Sequence, residues 1–181
     1  MRTLFLSGLI AILSLQHARA DATPAAVFRD HMVLQRDAKV PVWGWAEPGE
    51  AVAIEFRGAT NQAVADGAGR WQVEIGPFPA GGPFTMTIAG KKPRVITDIL
   101  VGDVWLCTGQ SNMQWPLSKM ASAAQDLADA DYPEIRLATV SAPPLLEAQK
   151  DLSSVWLPFH WAPCSSNSAA RFSAPGFYFA R

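Results

Sequence analysis

From residue 26 to about residue 98 the chain is written in short runs of alternating apolar and polar residues, separated by turn residues. The run "KVPVWGWA" (39–46) alternates and carries Val40, Val42, Trp43 and Trp45. "AVAIEF" (51–56) puts Val52, Ile54 and Phe56 on one face, and "RWQVEI" (70–75) does the same with Trp71, Val73 and Ile75. "FTMTIAG" (84–90) alternates Phe84, Met86 and Ile88. A period of two is the signature of half-buried strands. "EPGE" (47–50), "DGAG" (66–69) and the connector "PFPAGGP" (77–83) supply turns between them. No helical period interrupts the series. Strands this short and this regularly spaced predict an antiparallel β-sandwich.

At Ile99 the pattern changes. "ILVGDVWLC" (99–107) is nearly continuous in its apolar residues, as expected of a strand buried on both faces of a parallel sheet. "SKMASAAQDLADAD" (118–131) has Met120, Ala124 and Leu127 at helical spacing, with Ser118 as its N-cap, and Tyr132-Pro133 stops it. "IRLATV" (135–140) reads as a second strand, and "SAPPLLEAQKD" (141–151) as a loop. Near the end, Ser173 and Pro175 mark a helix start. Strand, helix, strand predicts the opening of an α/β unit. A βαβ unit takes about 30 residues or more, so the stretch from Ile99 holds little more than one or two, and this second unit reads as incomplete.

The first twenty residues stand apart. Arg2 precedes the apolar run from Leu4 to Leu15, and Ala18-Arg19-Ala20 is a small-x-small cleavage pattern. This predicts a secretory signal peptide cut after Ala20, too short to remain as a membrane span, and a secreted or periplasmic product. Its removal leaves 13 basic and 16 acidic side chains, a formal charge of −3. No basic cluster points to nucleic acid or an anionic membrane. The two cysteines, Cys107 and Cys164, allow either a disulfide or two small buried thiols, and no metal-ligand spacing is present.

The chemistry concentrates after the 99–107 run. In "TGQSN", Gly109 permits a tight turn or a close backbone approach, and Ser111 lies just past the expected carboxyl end of a strand, where open α/β sheets place reactive groups. A helix beginning there would aim free N–H groups at an anion. A Ser-Asn turn that only caps a helix fits the local pattern equally well, and the Gly-x-Ser-x-Gly elbow is absent because position 113 is Met.

The longer string "GDVWLCTGQSNMQW" resembles the first motif block of the SGNH-hydrolase superfamily, and within it the sialate O-acetylesterases. "VFRDHMVLQRDAKVPVWGWAEPGE" (27–50) and "DGAGRWQVEIGPFPAGGPFTMTIAG" (66–90) resemble the β-rich accessory domain of the same proteins. The resemblance implies a β-sandwich accessory domain over residues 21–98, followed over residues 99–181 by the N-terminal part of a flavodoxin-like α/β hydrolase domain with a parallel sheet. It implies that Ser111 is the nucleophile, that its N–H helps hold the oxyanion, and that Gly109, Gln110 and Asn112 shape the turn. It implies an O-acetylated carbohydrate substrate, hydrolysis through an acyl-enzyme, and no cofactor. Acetylated plant polysaccharide is the alternative substrate, and a non-catalytic sugar-binding β-module the alternative role. The family's base is a histidine in an Asp-x-x-His block. His31 and His160 lie in other contexts, so this chain alone is expected to be inactive or nearly so.

Overall fold

Alternation in the sequence becomes alternation in burial. In β4 (Ala51–Phe56) and β6 (Arg70–Ile75), every second side chain is buried and those between point outward. The computed structural model describes residues 21–140, 147–152 and 159–181. The expected signal peptide, most of the 141–151 loop and residues 153–158 lie outside this set. The remaining strands up to Gly102 are β1 (Thr23–Pro24), β2 (Val33–Gln35), β3 (Val40–Trp45), β5 (Ala59–Val64), β7 (Gly81–Ala89) and β8 (Arg94–Gly102).

These strands form two sheets, in the orders β1-β3-β6 and β2-β8-β7-β4-β5. All neighbours are antiparallel except β2 and β8, which run parallel, so the larger sheet is mixed. Val42, Trp71, Val73 and Ile75 of the smaller sheet share one apolar cluster with Val52, Ile54, Met86, Ile88 and Ile99 of the larger. Trp43 and Trp45 pack against the same cluster, and the Trp43 ring meets Phe28 edge-on at 4.8 Å. At Gly44 the smaller sheet is drawn tight: a Cβ there would lie 2.1 Å from the Thr23 carbonyl oxygen and 2.6 Å from Trp71 Cζ2. Gly44→Ala is expected to destabilise the chain by about 1–3 kcal/mol through overpacking. A urea-unfolding midpoint matching the parent would contradict this.

β8 departs from strict alternation. Met86 of β7 pairs with Ile96 and Phe84 with Ile99, so β8 has an extra residue between them. Both isoleucines face inward, and Asp98, inside this bulge, takes the left-handed conformation with φ 52°. Bulges re-aim side chains in this way.

Four expectations are corrected here. The run 99–107 is not one strand. Ile99 and Val101 complete β8 in the strand-rich core, and regular pairing ends at Gly102. Trp105 and Leu106 are 69% and 86% exposed, because no strand lies alongside them among the described residues. The second expected strand exists as β9 (Tyr132–Ala138), but it pairs antiparallel with β10 (Trp161–Cys164), so the parallel sheet is not seen there. The helix is shorter than expected. α1 spans Ala123–Ala128, and Ser118 falls instead in a 3-10 turn, Leu117–Lys119, which the extended backbone of Met120 separates from α1. Finally, Cys107 is exposed while Cys164 is buried, and both are free thiols.

Ser173 does cap a helix. Its Oγ accepts the Gly176 N–H at 3.2 Å at the start of α3 (Ala174–Ala180), with Pro175 in the first turn. α2 (Ser166–Ala170) begins in a capping box built by Ser165 and Ser168. Leu117, Leu137, Cys164, Ala169 and Phe177 form a second apolar cluster under these elements.

Candidate active site

Beyond Gly102 the backbone leaves its sheet, and side chains of the neighbouring strand steer it. Arg36 Nε donates to Asp103 at 2.9 Å, and the Val104 N–H donates to Gln35 Oε1 at 2.9 Å. Residues 103–110 have no regular structure. Ser111–Gln114 then forms a single 3-10 turn, entered from an extended Gln110 whose carbonyl accepts the Met113 N–H at 2.9 Å. Gly109, Gln110, Ser111 and Asn112 are therefore gathered in one exposed turn. A Cβ on Gly109 would lie 2.5 Å from Met113 Cγ, so the glycine serves a close approach.

The turn is moored from behind. The Ala174 N–H donates to the Trp115 carbonyl at 2.8 Å and the Leu117 N–H to the Phe172 carbonyl at 3.0 Å. The Ser111 and Asn112 N–H groups meet no backbone carbonyl of the described residues, as the first donors of a helical turn generally do not. An exposed hydroxyl beside two unengaged donors can attack a carbonyl and then hold the oxygen that becomes negative.

No imidazole among the described residues is hydrogen-bonded to that hydroxyl. His31 Nδ1 is 2.6 Å from Asp98 Oδ2. His31 and His160 both line a cleft of about 780 Å³ with Asp151 and Trp161, and Ser111 does not. Nor does Ser111 line a second cleft of about 520 Å³, walled by Val101, Trp105, Arg136, Trp161 and Phe179. Among the described residues no group of three or more His, Cys, Asp or Glu side chains could hold a metal ion, and no helix is long and apolar enough to cross a membrane.

The surroundings of His31 were not legible in the sequence. Asp98 accepts two hydrogen bonds from the Arg136 guanidinium, one of them Nη2 to Oδ1 at 2.9 Å. These bonds, helped by His31 and opposed by partial burial, hold the Asp98 carboxyl at about 2, well below its usual 3.8. The Arg136 side chain is only 6% exposed. The triad joins the 30–32 loop, the β8 bulge and β9. Residues 67 and 38 positions apart share no periodicity that could have announced it.

The thiols differ in exposure. Burial pushes Cys164 above the usual thiol range, with a contribution from the Asp131 charge. A disulfide-exchange reagent at neutral pH is expected to titrate Cys107 promptly in the native chain and to reach Cys164 only after denaturant is added. Two fast equivalents under native conditions would contradict this placement.

No family model matches the chain. It is 31% identical over 157 residues to a sialate O-acetylesterase of Pongo abelii, and 31% over 158 residues to that of Homo sapiens. Each match covers 79% of this chain and 30% of the relative. A crystal structure of a carbohydrate acetylesterase from Xanthomonas citri superposes with a TM-score of 0.83 at 35% identity, over 88% of this chain and 36% of that one. The chain thus spans about a third of the length of the proteins it matches. The chain is thus homologous to the sialate O-acetylesterases over about 30% of their length.

Proposed function

We propose that this chain carries the nucleophile of a serine esterase that removes O-acetyl groups from sugars. The observation that carries the reading is the exposed Ser111 turn with its unengaged N–H groups, in a chain homologous to named esterases. Ser111 Oγ attacks the acetyl carbonyl. The Ser111 and Asn112 N–H groups receive the resulting oxyanion, and Gly109 and Gln110 set the turn. Collapse expels the sugar hydroxyl and leaves acetate esterified to Ser111, and water then releases it. A general base must take the Ser111 proton, and in this reading it comes from the part of the family's length that the chain does not span.

The same reading gives the chain two units. Residues 21–98, whose last strand β8 runs on to Gly102, are the accessory β-sandwich, and residues 99–181 are the first part of an SGNH-type α/β hydrolase domain. Residues 1–20 are a signal peptide, and the product is secreted or periplasmic. Packing of Trp43, Trp45 and Trp71 against the core speaks against their use as a sugar platform.

A chimera tests the reading: residues 21–181 replace the matching 36% of the Xanthomonas citri enzyme. The chimera is expected to release acetate from O-acetylated sugars in a Ser111-dependent manner, and comparing O-acetyl sialic acid with acetylated xylan separates the two substrate classes. A folded chimera indifferent to Ser111→Ala would sink the assignment.

A further inference from the structure

The string at residues 30–36 grips β8 in register. Asp30 Oδ1 accepts the Thr97 N–H at 2.6 Å and the Thr97 hydroxyl at 3.0 Å. His31 meets Asp98, and Arg36 meets Asp103, each again 67 residues on. The backbone ladder stops with Gln35 opposite Gly102, where the Arg36 N–H still donates to the Gly102 carbonyl at 2.9 Å. Past that point the backbone has nothing more to offer, and the grip passes to side chains. Arg36 holds Asp103, and Gln35 holds the Val104 N–H. These two contacts lie beyond the sheet, on the segment that leads without regular structure to Ser111. Exposed ion pairs such as Arg36–Asp103 add little to global stability, so their effect is local.

We propose that Gln35 and Arg36 are positioning residues for the Ser111 turn, through which the strand-rich unit sets the direction in which the chain departs toward the nucleophile. The catalytic meaning rests on the assignment of Ser111. The mechanical claim stands on the contacts themselves. Cys107 provides the test, since it is an exposed thiol between the two, while Cys164 is buried. A nitroxide attached to Cys107 of the purified chain reports the mobility of this segment by its electron paramagnetic resonance line shape. In the double variant Gln35→Leu, Arg36→Ala the rotational correlation time is expected to fall at least twofold, with thermal unfolding nearly unchanged. Gln35→Glu keeps an acceptor for the Val104 N–H and is expected to retain the parent line shape, whereas Gln35→Leu alone loosens it. An unaltered line shape in the folded double variant overturns the proposal, as does equal loosening by Gln35→Glu. In the chimera the double variant is expected to lower kcat severalfold with KM little changed. Loss of Ser111 dependence there would overturn the nucleophile assignment and leave the line-shape result to judge the positioning role.

Discussion

Asp98→Asn is expected to lower the unfolding free energy by about 2–3 kcal/mol, a large share of a small domain's stability. Asparagine tolerates the left-handed backbone at φ 52°, so the substitution isolates the charge from the conformation. It leaves the Arg136 guanidinium, 6% exposed and with its Nε already unpartnered among the described residues, facing a neutral amide. Breaking a fully buried pair costs more. Here the 31% exposure of Asp98 lets water compensate in part, which sets the lower figure. The pH dependence has a definite sign. The folded carboxyl is held at about 2 against 3.8, so the unfolded chain binds the proton first as acid is added. The network's contribution is complete above pH 3.8 and is lost as pH falls through about 2. Urea unfolding at neutral and acid pH checks both parts. A loss under about 0.5 kcal/mol in Asp98→Asn, or an acid limb identical to the parent's, would show that Arg136 is held by packing alone.

Ser111→Ala in the chimera is expected to reduce kcat/KM for an acetylated sugar by at least about 1000-fold. The size follows from what is removed. Alanine leaves the turn, its N–H donors and its mooring to α3 in place, so substrate binding and oxyanion stabilisation survive. On the proposed mechanism only the atom that would form the acyl-enzyme is gone, so the loss is expected to fall on kcat and to leave KM within a few-fold. Acetate release under saturating and limiting substrate separates the two constants. A comparable rise in KM would instead point to Ser111 as a binding group. The separate chain is expected to hydrolyse an aryl acetate no faster than its own Ser111→Ala variant, because no imidazole among the described residues is hydrogen-bonded to the hydroxyl.

The strands that were legible in the sequence are those whose burial alternates. β3, β4 and β6 follow from their apolar residues within a position of the expected bounds, because one face of each meets the shared core. β5 was missed because an edge strand reading Ala-Thr-Asn-Gln-Ala-Val has little to bury. The 99–107 run misled because a continuous apolar stretch does not say which sheet will receive it, and here the first part closes one sheet while the rest lies exposed. Ser173 was readable because capping is local. Ser118 was not, since Met120 adopts an extended backbone that no propensity forecasts. At the candidate site, the turn around Ser111 was visible as a string. The contacts of Gln35 and Arg36 arise only once β2 lies beside β8, and the His31–Asp98–Arg136 triad only once β9 joins them.

That parallel pairing bears on how the chain can vary. β2 and β8 bracket every hairpin between them, so those hairpins are a closed excursion that starts and finishes at one place. The two-residue turn at Arg57 and Gly58, both at positive φ, lies at its far side. Residues inserted there lengthen the excursion and leave the grip on β8 untouched, since loop length costs little free energy. One residue inserted between Met32 and Gln35 would instead turn Leu34 out of the core and carry Gln35 away from Val104. Variation in length thus costs, at the Arg57–Gly58 turn, only Arg57's contacts with the Pro79 carbonyl and the Phe84 ring, and it is forbidden along three residues of β2.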